Sequence, residues 1–304
     1  MLRRKIHFSF AVLALMTIFL LAFIFWLRSY HQTTVTFLDV GEGDAIFISQ
    51  GSNQILIDGG RSGRDLLARL GRRMPFWDRT VEVVIATHPD SDHIGGFVAL
   101  LSAYNVKTFL YTGAESDTET FSFLWKMLEE RSANSAGRKN SPTFAELFAR
   151  RTFSEIKILK IFRGGSIQFP YGGEFIIEYP MAPLSPAMKK TNAGSIVGRF
   201  TYGGTQMLLT GDLPNEETVL SEIPPANILK VAHHGSKYST SSVFLNLLKP
   251  KEAVISVGKN SYGHPSPDVL KRLKERGVII RRTDMDGDVN YLCTLELAGC
   301  VITD

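Results

Sequence analysis

The chain has 304 residues, 44% of them hydrophobic and 21% charged, with 26 Gly, 13 Pro and two Cys. That composition excludes a disordered, collagenous or disulfide-scaffold protein and suits a globular chain of one large or two smaller units. The formal charge of +4 invites a nucleic-acid reading, but Arg3, Arg4, Lys5 and Arg28 carry all of it, because residues 1–28 hold no acid and the rest is formally neutral.

No Lys, Arg, Asp or Glu occurs among the 22 residues from Ile6 to Leu27. A helix of that length spans about 33 Å, enough for a bilayer core of about 30 Å. Arg3, Arg4 and Lys5 before it, against Arg28 after it, favour a cytoplasmic N-terminus with the remainder outside the cytoplasm. Trp26 and Tyr30 suit the outer interface. A cleaved signal peptide is the alternative, yet the run exceeds an h-region of about 7–15 residues and no small-x-small site follows it. The expected organisation is a basic tip and single-pass anchor over residues 1–30, then an extracytoplasmic domain over 31–304.

Residues 35–40, 45–48 and 54–58 read as strands joined by Gly/Ser/Asn turns, an antiparallel meander. Residues 65–73 have helical spacing, with Leu66, Leu67 and Leu70 on one side. The apolar run 81–86 reads as a buried strand ending in a His/Asp-rich loop, and 94–102 and 121–131 read as helices. Residues 132–143 read as an exposed loop and 144–151 as a short helix. A second batch of strands follows at 156–161, 166–169, 174–179, 196–201 and 205–210. Strands at 227–232, 253–257 and 278–282 then alternate with helices at 241–248 and 267–276, before terminal strands. No linker divides 31–304. Strands in two batches, each followed by helices, predict an α/β chain with a four-layer αββα sandwich. Cys293 and Cys300 flank Leu-Glu-Leu-Ala-Gly, a turn that would oppose them; a disulfide and two buried thiols both fit.

The strongest chemical signal is Thr87-His88-Pro89-Asp90-Ser91-Asp92-His93-Ile94-Gly95-Gly96. Four potential metal ligands fall within six positions, directly after an apolar strand. Imidazole plus carboxylate suits zinc, manganese or iron. Leu208-Leu-Thr-Gly-Asp212 and Leu229-Lys-Val-Ala-His233-His234-Gly-Ser236 repeat one design, a strand with ligands at its C-terminal edge. Asp212 is the candidate bridge between two cations.

Together these motifs resemble the metallo-β-lactamase superfamily and, more narrowly, the extracytoplasmic hydrolase domain of ComEC-type competence proteins, over about residues 34–290. The resemblance also rests on Phe37-Leu-Asp-Val-Gly-Glu-Gly-Asp-Ala45, Leu56-Ile-Asp-Gly-Gly60, Gly263-His-Pro-Ser266 and Arg282-Thr-Asp284 with Gly287. It implies the αββα fold and one or two divalent metals, Zn or Mn. His88 and Asp90 would bind one metal, Asp92 and His93 the other; Asp212 would bridge, His233 would complete a coordination sphere, and Asp58 would buttress the metal loop. Two departures stand out. Asp90 replaces the superfamily's usual second His, as in the ComEC-like branch, and the third-motif His is absent, since Thr191-Asn192-Ala-Gly-Ser195 occupies that place. His234, Asn192 and His264 are candidates to fill the gap.

The implied reaction uses a metal-bound hydroxide, with cations neutralising phosphodiester charge. Asp92, His234 and His264 are the catalytic candidates, with either histidine as proton donor to the leaving group. Ser236, Lys237, Ser239 and Asn192 are candidate substrate contacts. Six arginines between 61 and 79 face only two aspartates, and could flank the site and track a nucleic-acid backbone. Arg138-Lys139, Arg150-Arg151 and Lys189-Lys190 add positive loops. The expected function is a membrane-anchored phosphodiesterase, a DNA nuclease of the ComEC type. One spanning segment cannot itself form a DNA channel, so a stand-alone nuclease and one working beside a separate DNA-uptake channel as partner both fit. The alternatives are a hydrolase of a cell-wall or lipid phosphodiester or a lactone, and a non-catalytic metal-binding module; the intact His/Asp set weighs against the module, because unpaired buried carboxylates are costly.

Overall fold

The computed structural model describes residues 12–21, 23, 31–133 and 155–303. Residues 12–21 are helical and exposed. Most of the rest of the apolar run 6–27, the helix expected at 144–151 and most of the loop expected at 132–143 lie outside the described residues. Among the described residues no helix is long and apolar enough to cross a membrane.

Among the described residues fifteen strands form two sheets. The first holds β1 (Thr33–Phe37), β2 (Ile46–Gln50), β3 (Asn53–Ile57), β4 (Thr80–Ile85), β5 (Asn105–Tyr111), β6 (Lys157–Lys160), β14 (Val289–Thr294) and β15 (Gly299–Thr303). Its order is β15-β14-β1-β2-β3-β4-β5-β6. The second holds β7 (Ser166–Gln168), β8 (Glu174–Tyr179), β9 (Val197–Tyr202), β10 (Thr205–Leu209), β11 (Ile228–Lys230), β12 (Glu252–Ile255) and β13 (Ile279–Arg282), in the order β13-β12-β11-β10-β9-β8-β7. The expected meander β1-β2-β3 is antiparallel. From β3 to β6 and from β10 to β13 the pairing is parallel, which requires crossover connections. Helices α1 (Gly63–Arg73), α2 (Ser91–Ala103), α3 (Glu119–Ala133), α4 (Ser242–Leu248) and α5 (Pro267–Lys274) stand in these crossovers.

Alternation along the strands produces the layers. Ile46 and Ile48 join the apolar layer between the sheets, while Phe47 joins α1, α2 and α3 on the outer face. Ile55 and Ile57 split from Leu56 in the same way. On the far side Leu208 and Leu229 pack with Phe244, Leu245, Val269 and Leu273 of α4 and α5. Each such fully buried side chain contributes about 1.5–3 kcal/mol. The sequence reading passed over β5, because Asn105-Val-Lys-Thr-Phe-Leu-Tyr111 neither alternates cleanly nor forms an apolar run. It is a strand because it pairs with parallel neighbours on both sides. Cys293 and Cys300 face each other across β14 and β15 and are disulfide-bonded, which resolves the two readings of that hairpin.

Parallel strands bring their C-terminal ends to one edge. There β3 ends at Asp58, β4 at the His88 loop, β10 at Asp212 and β11 at His233 and His234. Gly96 allows this convergence: a Cβ on it would lie 2.0 Å from the Gly59 carbonyl oxygen, so only glycine lets α2 press against the Asp58–Gly60 loop.

Candidate metal centre

Asp58 sits at the end of β3 with a left-handed backbone, φ +57°. Its Oδ1 accepts the Thr87 N–H at 2.8 Å and its Oδ2 accepts the Thr87 hydroxyl at 2.7 Å. The same Oδ2 lies 2.7 Å from His93 Nδ1. This carboxylate therefore braces the loop and turns the opposite nitrogen of His93 toward Asp212, whose Oδ2 is 3.3 Å from Nε2. A carboxylate on one nitrogen of an imidazole fixes the ring's orientation and raises the basicity of the other nitrogen.

His234 is oriented by a different group. Its Nδ1 lies 2.9 Å from the Ser256 carbonyl oxygen, a donor contact that turns Nε2 toward the carboxylates. That Nε2 is 3.5 Å from Asp212 Oδ2 and 3.7 Å from Asp92 Oδ2. His88 is held at Nδ1, 3.0 Å from the Thr87 hydroxyl and 3.3 Å from that of Ser195. The Nε2 atoms of His88, His93 and His234 are all buried without a hydrogen-bond partner, as are Asp212 Oδ1 and Asp44 Oδ1. Buried polar atoms are rarely left so. His88, His93 and Asp212 form one compact donor group; Asp92, His93 and His234 form another, and Asp44, Asp212 and His234 a third, each with ligand atoms within 4.8 Å of one another. Orphaned imidazole nitrogens set around a carboxylate are the donor set of a divalent cation, and the residues present fit one.

Charge follows the same geometry. Burial opposes protonation of His93, but Asp212 and Asp58 outweigh it and hold the imidazole well above its usual range. His234 is buried too, and Asp212 and Asp44 raise it to about 10. Burial would push the Asp212 carboxyl up, yet His93 and His234 hold it well below the usual carboxylate range. His88 is lowered to about 3 by burial and by the charge on His93.

The structure brings together His88, Asp92, His93 and Asp212, and it sends His233 and His234 in different directions. His233 and His234 both have left-handed backbones, φ +51° and +52°, a conformation costing about 1–3 kcal/mol per residue. The turn aims the rings differently. His234 is the one that joins Asp92 and His93, whereas His233 is partly exposed, 3.9 Å from Asp212 Oδ2 and 3.5 Å from Asn192 Nδ2. Asp90 stands at the N-cap position of α2 without a capping side-chain bond; its Oδ1 accepts the Thr191 hydroxyl at 2.7 Å and its Oδ2 lies 3.7 Å from His88 Nε2. The segment that lacks the third-motif His thus contributes Thr191 to Asp90 and Asn192 to the cavity wall.

An open cavity of about 200 Å³ lies over this cluster. Asp90, Asp92, Asn192, Asp212, His233 and His234 line it, with Arg61, Asn260, Tyr262 and His264 among the surrounding residues. Arg61 lies 3.1 Å from Glu42. Asn260 pins the His264 loop, donating to the His264 carbonyl at 2.9 Å and accepting its N–H at 3.0 Å. Burial, then His233 and His234, lower the His264 imidazole below its usual range.

Three expected substrate contacts are not at the cavity. The Ser239 hydroxyl is buried and donates to Ala232 and Ser236 carbonyls at 2.8 and 2.9 Å. Ser236 is buried in the same turn, and Lys237 is exposed with its ammonium 5.0 Å from the Tyr238 ring centroid. These residues brace the turn that carries His234. Half of the arginine cluster is paired with acids away from the cavity: Arg69 with Asp39 and Asp288, Arg73 with Asp288, and the exposed Arg64 with Asp65. Arg61 alone of these six borders the cavity. Arg138-Lys139 and Arg150-Arg151 lie outside the described residues.

Two site residues escaped the sequence reading. Asp44 and Lys230 are fully buried and form an ion pair. Lys230 Nζ also donates to the Gly211 carbonyl at 2.8 Å and lies 3.8 Å from Asp212 Oδ1. The available signal was a lysine interrupting the apolar run Ile228-Leu-Lys-Val-Ala232.

A sequence model of the metallo-beta-lactamase superfamily matches residues 38–146 and 178–259. ComE operon protein 3 of Bacillus subtilis is 30% identical over 298 residues, covering 90% of this chain and 35% of that protein. Competence protein ComA of Neisseria gonorrhoeae is 26% identical, covering 86% of this chain and 32% of its own length. The chain thus spans about a third of the curated relatives it matches. The crystal structure of YhfI, a metallo-beta-lactamase fold protein from Bacillus subtilis, superposes with a TM-score of 0.53 at 11% identity, over 86% of this chain and 99% of that one, a likeness of fold. The sequence match and the His/Asp constellation agree: the chain belongs to the metallo-beta-lactamase superfamily, with ComEC-type competence proteins as its curated relatives.

Proposed function

We propose that this metal-dependent hydrolase is a phosphodiesterase that cleaves DNA outside the cytoplasm, tethered by residues 1–30. The observation that carries the reading is the ring of buried, unpartnered Nε2 atoms of His88, His93 and His234 around Asp212, at the base of an open polar cavity. Relatives named as competence and recombination proteins support DNA as the substrate. The uncharged run 6–27 supports the tether.

His88, Asp92, His93, Asp212 and His234 would hold a divalent cation, which would supply Lewis acidity toward water and positive charge against the phosphodiester. The protein's part is to place and orient. Asp58 and the Ser256 carbonyl set the rings of His93 and His234. Asp92 and Asp212 contribute negative charge on which cation affinity depends. In this reading Arg61 and Asn192 of the cavity wall would contact phosphoryl oxygens, and His264, whose loop is held by Asn260, would give a proton to the leaving oxygen. Asp90 and His88 form the second, ligand-poorer half of the site.

The test is to purify the full chain, measure bound zinc and manganese, and assay single-stranded DNA, double-stranded DNA and a bis-aryl phosphodiester with each metal. DNA cleavage lost in Asp212→Ala supports the proposal. Turnover of the small diester alone would replace it with another phosphodiester substrate, and metal uptake without turnover of any substrate would reduce the protein to a binding module.

A further inference from the structure

We infer that the edge of the sandwich opposite the metal centre rests on the lipid bilayer, so that the cavity opens into water well clear of the headgroups. This rests on reading residues 6–27 as a membrane anchor and deepens the proposed function, because it separates the site from membrane lipids as substrates.

The strand directions define the edge. β1, β3 and β4 run toward the metal centre, so their first residues, Thr33, Asn53 and Thr80, lie at the other end. β14 is antiparallel to β1 with Thr33 opposite Cys293, which projects the turn between β14 and β15 from that same end. Two groups of apolar side chains stand out there. Phe76 and Trp77, in the loop entering β4, are 80% and 72% exposed and pack edge-on against each other at 4.8 Å instead of into a core. Leu295, at the tip of the disulfide-closed hairpin, is 78% exposed, with Leu297 beside it. Between the hairpin and the Tyr171 turn lies an open cavity of about 530 Å³. Gln50 ties that turn to the β2 end, accepting the Tyr171 N–H at 2.8 Å and donating to the Gly172 carbonyl at 3.0 Å.

The chain itself names the occupant. His31 packs its ring 3.9 Å from that of Tyr171, so the N-terminal segment enters at this edge. Leu27, the last residue of the uncharged run, is only four residues earlier. Four extended residues reach at most about 14 Å. A bilayer holding that run must therefore lie within that distance of Trp77's edge of the domain. Exposed Trp, Phe, Tyr and Leu at that level match the interfacial preferences of these side chains. Along β4, from Thr80 to Ile85, the chain climbs about 17 Å at 3.3 Å per residue, which holds the metal centre beyond its C-terminal end away from the lipid.

The test uses the full chain carrying Trp26→Phe and Trp125→Phe, which leaves Trp77 as the fluorophore, reconstituted in phosphatidylcholine/phosphatidylglycerol vesicles. Acyl chains brominated near the headgroup are expected to quench Trp77 about twofold relative to unbrominated lipid, while the protein resists carbonate extraction. In the same background Leu295→Asp with Leu297→Asp should reduce that quenching, with metal content unchanged as the check on folding. Unquenched Trp77 in a chain that still resists carbonate would overturn the seating and leave the anchor standing. Unquenched Trp77 in a chain that also sizes as a dimer would overturn it by assigning the edge to a second copy. Release by carbonate would overturn the anchor reading and the seating with it.

Discussion

The ammonium of Lys230 and the carboxylate of Asp44 form an ion pair with no solvent access, beside Asp212 of the metal centre. Lys230 ends β11 of one sheet, and Asp44 lies in the loop between β1 and β2 of the other. The pair thus joins the two sheets at the edge where the ligands converge, and its positive end offsets a cluster of carboxylates. Burial pushes Asp44 up, but Lys230 and His234 outweigh it and keep the carboxyl below its usual range. Lys230→Met should destabilise the fold by about 3–5 kcal/mol, since it strands a buried carboxylate. Pairing it with Asp44→Leu should recover most of that loss in urea unfolding, which distinguishes a stranded charge from lost packing.

Asp58 acts through His93 and Thr87. Asp58→Asn keeps the volume but cannot accept from both partners as a carboxylate does. Metal affinity is expected to fall about 10–100-fold, read by chelator competition, with the far-ultraviolet circular dichroism unchanged.

The two neighbouring histidines are expected to separate in experiment. His234→Ala removes a member of the Asp92/His93 donor group and should lower metal content sharply. His233→Ala, at the cavity wall, should leave metal content near that of the unmodified protein and affect KM instead. Equal loss of metal in both variants would contradict the geometry.

Glu216 offers a pH signature remote from the ligands. It is fully buried, its two oxygens accept the Thr240 N–H at 2.8 and 2.9 Å, and burial raises it from 4.5 to about 7. Between those values the folded protein keeps a proton that the unfolded chain releases. Its contribution is therefore complete below about pH 4.5 and is lost as pH rises to about 7, an effect of order 3 kcal/mol. Glu216→Gln should gain on the parent protein by that amount between pH 4.5 and 7.5 in urea unfolding; a constant gap across that range would refute the shift.

Much of this architecture is legible in the residues because it depends on short-range patterns. Alternation along β1, β2 and β3, helical spacing in α1, and an apolar strand followed by His88, Asp90, Asp92 and His93 are all visible within windows of ten residues. β5 was not, because a parallel strand buried by neighbours on both sides needs no amphipathic alternation. The arginine-rich stretch 61–79 was equally misleading: its charge is local, but the partners that consume Arg69 and Arg73, Asp39 and Asp288, are remote in the chain.

Residue identity and spacing established the family, the paired-sheet class and the pool of metal-ligating side chains. Three-dimensional packing selected among them. It turned His234 inward and left His233 at the wall, recruited Asp44 and Lys230, and retired Ser236 and Ser239 to bracing a turn. The reason is that ligation depends on the direction of a side chain and on distances between segments that meet only after folding. A linear chain records which donors exist and how far apart they lie in sequence, but not which lone pairs converge.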